Sequence, residues 1–292
     1  MSLILANGIT HHVQRLAAKG HPGDEPPPTV VLVHGLLTDS LASYYFTLGP
    51  LLASAGFEVI MYDLRGHGRS TRPGSGYRLA DFLADLDTLL DALGTHAPVH
   101  LVGNSFGGTI AFGYAERRPE RIVSIAVIES TPATPAWAAQ MAATLARYRE
   151  QFPRSEVLAW ISDHHGAHAA RLCQSAGRLL QSSSIADEVP AGEVLSDARV
   201  SAMAVPIMAI YGGDAELVGQ AEWLASLLPS CTSVVVPGQG HWVLVNHTAL
   251  VGELILEWLR RHSGLTAPVD GEPSPSIAES LVAEPLVERH PG

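Results

Sequence analysis

Short apolar runs alternate with amphipathic stretches along most of this chain. "TVVLVHG" (29–35) is almost continuous Val and Leu, the pattern of a strand buried on both faces. A helix end and a glycine turn follow, then a strand over 57–62 that runs into the glycine-rich loop "DLRGHGRS". Residues 79–93 carry apolar side chains at helical spacing, with Asp81, Asp85, Asp87 and Asp91 assigned to the other faces. "VHLVG" (99–103) predicts another strand, then a tight turn and a helix from about Gly107 to Arg117, closed by Pro119. "RIVSIAVIES" (121–130), "VPIMAIYGG" (205–213) and "TSVVVPG" (232–238) read as further buried strands. Strands alternating with helices predict an α/β fold: a doubly wound, mostly parallel sheet with helices on both faces.

Two segments break the alternation. Residues 133–200 have no strong strand pattern, several helical stretches, and the polar runs "SDHHGAHAAR" and "QSSSIADEVPAGE". They predict a helical insertion that divides the core into residues 1–132 and 201–263. An insertion at the carboxyl edge of a parallel sheet lies over the place where ligands bind, so the expected role is a lid. Residues 264–292 are rich in Pro, Glu and Ser and poor in aromatics. Such a segment cannot bury enough surface to offset its ordering entropy, and a disordered tail is expected.

Composition narrows the function classes. A chain of 292 residues that is 47% hydrophobic can bury a large core. A formal net charge of -11 with only 18 Lys and Arg argues against a nucleic-acid partner. No stretch reaches the roughly 20 apolar residues needed to span a bilayer. The N-terminus lacks the basic start of a signal peptide. Cys173 and Cys231 stand far apart with no CxxC around them, which fits reduced thiols in a cytoplasmic protein.

The chemistry centres on Gly103-Asn104-Ser105-Phe106-Gly107, a G-x-S-x-G pattern. By itself the pattern is common. Set between a predicted strand and a predicted helix, it describes a nucleophile raised on a sharp turn, where flanking side chains would clash and the helix N-terminus favours developing negative charge. Two backbone N–H groups should then form an oxyanion hole: that of Phe106, and one in the loop after the first buried strand, at Leu36.

"VLVHGLL", "YDLRGHGRS", "GNSFGG" and "VVPGQGHW" occur in the order and spacing of the α/β-hydrolase fold superfamily, which the chain resembles from residue 1 to about 262. The resemblance implies the chain order nucleophile, acid, histidine, with His241 of "PGQGHW" as general base and no cofactor or metal. Members that open epoxides or remove halides carry aspartate at the elbow, so Ser105 points to ester, thioester, amide or carbon–carbon hydrolysis. Among the 14 histidines, His34 and His67 fall in loops like those of the family. They read as structural or pocket-lining, and His34 is assigned to the substrate pocket. His164, His165 and His168 lack the geometry of a metal set.

The acid has two candidates. The loop after the penultimate strand in this family commonly reads G-x-x-D, but counting from Gly212 that position is Ala215, and Asp214 falls one residue early. Glu129 in "VIESTP", 24 residues after Ser105 (129 minus 105), matches a branch whose acid sits at the end of the strand following the nucleophile helix. A carboxylate buried there would need a partner, which His241 could supply. Glu129 is placed ahead of Asp214, and the choice stays open.

The expected function is hydrolysis of an ester or thioester of a hydrophobic, polyketide-like acyl substrate, free or carrier-bound, through an acyl-enzyme. Trp137, Trp160 and Trp242 are expected to line its pocket. A carbon–carbon bond hydrolase acting on a diketone, and a non-catalytic ligand-binding member of the fold, are the alternatives.

Overall fold

A computed structural model describes residues 2–20, 26–228 and 230–265. Its eight strands are β1 (Ser2–Ala6), β2 (Ile9–Leu16), β3 (Thr29–Val33), β4 (Glu58–Tyr62), β5 (Val99–Asn104), β6 (Ile122–Ile128), β7 (Ile207–Gly212) and β8 (Cys231–Val236). They form one sheet in the order β1-β2-β4-β3-β5-β6-β7-β8. The pairings β1–β2 and β2–β4 are antiparallel and the other five are parallel. The β1–β2 hairpin is absent from the pattern-based expectation, although its turn is Asn7-Gly8, both at positive φ as a type I′ turn requires.

Helices cover both faces. α1 (Ala42–Tyr45), α2 (Leu48–Ser54), α10 (Val243–Asn246) and α11 (Thr248–Ser263) contribute to one apolar cluster, with Val30, Leu32 and Val102 of the sheet. α3 (Leu79–Ala92), α4 (Phe106–Arg117) and α9 (Gly219–Leu227) contribute to the other, with Val31, Val33 and Leu101. Alternate residues of β3 therefore feed opposite cores, which is why that strand reads as an unbroken apolar run.

In α3 the buried positions Leu79, Phe82, Leu83, Leu86, Leu89 and Leu90 follow the predicted stripe. Asp85 is a correction, because it lies on the buried face at 1% exposure. The Arg65 guanidinium and the Asn7 amide hold its two oxygens, so its charge is buried with partners rather than solvated.

Between β6 and β7 the chain makes a helical excursion: α5 (Pro135–Gln151), α6 (Ser155–Ser182), α7 (Ile185–Glu188) and α8 (Asp197–Ser201). Gly166, at φ 86°, interrupts α6 so that two helices meet at a kink. The far end of the excursion is tied to the core. The Glu188 carboxylate accepts from the backbone N–H groups of Gly76 and Tyr77, and Ser184 N–H donates to Gly74 at 2.9 Å. The expected tail lies outside the described residues from position 266 on. Among the described residues no helix is long and apolar enough to cross a membrane.

Candidate active site

The carboxyl ends of β3, β5, β6, β7 and β8 deliver the candidate residues to one edge of the sheet. β5 ends in a turn so sharp that Ser105 sits at φ 51°, ψ -120°, immediately before α4 begins at Phe106. A non-glycine residue there is strained by about 1–3 kcal/mol. Packing explains the glycines around it. A Cβ on Gly103 would lie 2.4 Å from the Gly107 backbone, and one on Gly107 would lie 2.0 Å from the Val33 carbonyl oxygen. The elbow closes only when both positions lack a side chain. Ser105 N–H is tied to the Ile128 carbonyl at 2.8 Å, which locks the turn to the end of β6.

Glu129 comes one residue after β6 and also has positive φ, 49°. Its N–H bonds the Ile210 carbonyl at 2.9 Å, and one carboxylate oxygen accepts from Gly212 N–H. The other carboxylate oxygen meets Nδ1 of His241 at 3.1 Å. Glu129 is 1% exposed, whereas the His241 side chain is half exposed. Asp214 sits in the loop after β7 with an exposed side chain, and its N–H bonds the Gln239 carbonyl. Among the described residues its carboxylate has no hydrogen-bond partner. Of the two acids, the hydrogen bond to His241 belongs to Glu129.

The loop after β3 is held at two of its amides. Asp39 accepts from Gly35 N–H at 2.7 Å. His67 Nε2 accepts from Leu37 N–H at 2.7 Å, while its Nδ1 donates to the Arg65 carbonyl at 2.8 Å. Burial, reinforced by neighbouring His34, pushes the His67 imidazole down to about 3. It therefore stays neutral, as an acceptor nitrogen must. With Gly35 and Leu37 engaged, the N–H groups of Leu36 and Phe106 donate to nothing among the described residues.

Ser105, Glu129, His241, Leu36 and Phe106 all open onto one cavity of about 540 Å³. Trp137, Trp242 and Asp214 line it too. Trp137 stacks on the Phe106 ring at 6.2 Å and 14°, which joins the start of α5 to the elbow. His34 and Trp160 are corrections, because neither lines the cavity. His34 is fully buried behind the loop, with Nδ1 donating to Gly35 O at 2.7 Å and Nε2 accepting from Leu64 N–H at 3.0 Å. Trp160 is 54% exposed on α6, stacked on His164 at 4.4 Å. Sequence reasoning missed the α5 side chains Gln140, Met141, Thr144 and Tyr148, which line the cavity. Their three- and four-residue spacing after Trp137 was the available signal. Among the described residues no cluster of His, Cys, Asp or Glu could hold a metal ion.

A mostly parallel sheet with helices on both faces, with a serine at a sharp strand-to-helix turn and a histidine lining the same cavity, is the architecture of α/β hydrolases. Comparison with known proteins agrees, and the chain belongs to the alpha/beta hydrolase fold family, whose profile matches residues 28–248. A relative from Variovorax paradoxus, provisionally named the carbamate hydrolase RutD, is 29% identical over 252 residues, covering 82% of this chain and 94% of that one. A carboxylesterase structure from Nitrososphaera gargenis superposes with a TM-score of 0.73 at 19% identity, covering 89% of this chain and 99% of the other. The meta-cleavage product hydrolase CumD of Pseudomonas fluorescens gives 0.65 at 20% identity, covering 89% and 98%. At these identities the two structures share the fold with this chain. The family is one of hydrolases.

Proposed function

We propose that this chain is a serine hydrolase that cleaves an ester or thioester of a hydrophobic acyl substrate through an acyl-enzyme. The observation that carries the reading is the hydrogen bond of buried Glu129 to His241 Nδ1, on the same cavity as Ser105 at its strained elbow. Glu129 holds the imidazole with Nε2 free to act on the serine hydroxyl. His241 takes the Ser105 proton as Oγ attacks the acyl carbonyl, and the Leu36 and Phe106 amides receive the oxyanion. His241 then protonates the leaving alcohol or thiol. Water repeats the sequence on the acyl-enzyme and releases the acid. No hydrogen bond between Ser105 Oγ and His241 is formed in this structure, and catalytic contacts of this kind commonly tighten only around substrate.

The helices α5–α8 act as the lid in this reading. Leu36, Leu37, Trp137 and Met141 give the cavity apolar walls suited to an acyl chain. Thiols with no disulfide partner at Cys173 and Cys231 fit a cytoplasmic enzyme. The named substrate bond of RutD, a carbamate, is also centred on an acyl carbonyl, the electrophile this arrangement suits.

The test is a fluorophosphonate probe together with a series of acyl esters, acyl thioesters and carbamates of graded length. Wild type should label and turn over esters or thioesters, and Ser105→Ala should do neither. Turnover confined to carbamates or to carbon–carbon bonds would reassign the bond. A well-folded protein that neither labels nor turns over would be a ligand-binding member of the fold.

A further inference from the structure

The cavity wall supplied by α5 has two stripes. Trp137, Met141, Leu145 and Tyr148 form the apolar one. Beside it run Gln140, Thr144 and Arg147, spaced four and three residues apart on the same helix and lining the same cavity. None of these three polar side chains has a hydrogen-bond or ion-pair partner among the described residues. Among the described residues Arg147 is the one Lys or Arg in the cavity lining, and its guanidinium lies over the Tyr148 ring at 5.3 Å. Its neighbours on the helix behave differently. Arg149 pairs with Asp187 at 3.1 Å, and Glu150 is taken by Arg154. A guanidinium steadied on an aromatic face, left without a carboxylate and flanked by an amide and a hydroxyl, is a ready receptor for an anionic oxygen pair.

Resting on the hydrolase reading above, we propose that Gln140, Thr144 and Arg147 form the subsite for a carboxylate carried by the substrate at the end remote from the bond that is cleaved. The substrate class is then a half-ester or half-thioester of a dicarboxylic acid. The helix sets the length. Trp137 stacks on Phe106, next to Ser105, and Arg147 lies ten residues further along α5, about 15 Å at 1.5 Å per residue. The arginine arm covers part of that span, which leaves room for a medium-length chain along the apolar stripe. Asp214 and Glu216 line the cavity as well, and the chain is acidic overall. An anion therefore gains nothing from the general field of the protein and depends on Arg147 locally.

The experiment compares 4-nitrophenyl monoesters of dicarboxylic acids, from succinic to sebacic, with 4-nitrophenyl alkanoates of matched length. For wild type, kcat/KM should favour the carboxylated ester in a medium-length window. In Arg147→Met the ratio of carboxylated to neutral kcat/KM should fall by about tenfold or more, mainly through KM. Arg147→Lys should recover part of it. Arg149→Met, which removes a charge from the same helix away from the cavity, should leave the ratio unchanged. Equal loss on both ester series in Arg147→Met, or no change in the ratio, would overturn the subsite. Calorimetric binding of free suberate needs no turnover and separates the two failures. If wild type hydrolyses neither series yet binds suberate at least tenfold more tightly than Arg147→Met, the hydrolase reading fails and the subsite stands. No suberate binding to wild type together with no ratio change sinks the subsite alone.

Discussion

At the scale of the residue, the informative contrast is between two carboxylates on one cavity. Glu129 is buried, shares its oxygens between Gly212 N–H and His241, and sits at positive φ. Asp214 is exposed, and only its backbone is engaged. If Glu129 orients the imidazole as proposed, Glu129→Gln should cut kcat by roughly three to four orders of magnitude, because an amide there favours the wrong tautomer. Asp214→Asn should stay close to wild type. Steady-state kinetics on one activated ester decides it, and the opposite ranking would move the acid role to Asp214. The motif spacing made Glu129 readable as a candidate. It did not expose the discriminating fact, that the β7 strand end donates to Glu129 through Gly212, because backbone donors leave little trace in side-chain identity.

At the scale of the element, the loop after β3 shows how a backbone donor is kept in place by side chains distant in sequence. His67 comes from the loop after β4, 30 positions past Leu37. His67→Leu should leave the half-buried Leu37 N–H without its acceptor and cost about 1 kcal/mol of stability. If the neighbouring Leu36 amide receives the oxyanion as proposed, the change should also lower kcat by about tenfold or more with KM nearly constant. Urea unfolding and kinetics on one ester would show both effects, and His67→Gln, which can still accept, should recover part of each. Elements of this kind mark the limit of what pattern reveals. The parallel strands were legible because burial on both faces leaves unbroken Val and Ile runs, and the elbow because its sterics demand glycine. The β1–β2 hairpin was missed because His11, His12 and Gln14 occupy buried strand positions normally held by apolar residues. His12 Nδ1 there meets Asp63 Oδ2 at 2.7 Å. His34 was misassigned for a related reason. Its type suits a pocket, but both ring nitrogens are spent on the backbone.

At the scale of the whole molecule, buried neutral histidines set a pH dependence of stability. Burial pushes His67 down to about 3 and His100 down to about 4, from an ordinary value near 6.5. The unfolded chain takes up these protons below pH 6.5 while the folded chain refuses them, so stability must fall as pH drops through that window. For His67 alone the full loss, reached near pH 3, is on the order of 5 kcal/mol. The carboxylates act later. Burial alone would raise Asp63 and Asp85, but hydrogen bonds outweigh it and hold both below 3.8, so their contribution fades only under that pH. Melting temperature should therefore change little near pH 7.5 and decline as pH falls below about 6.5 toward 4.5, and that slope should be shallower in His67→Gln. A flat profile over that range would show that these rings are hydrated. The Glu129–His241 bond has a different kind of consequence. With that carboxylate supplied from the end of β6, the stretch Asp214–Leu217 after β7 borders the cavity without anchoring the imidazole. If Glu129 and His241 act as proposed, that stretch can be rewritten by drift or in the laboratory, one substitution at a time, and selectivity can evolve while the proposed bond-breaking groups are inherited intact.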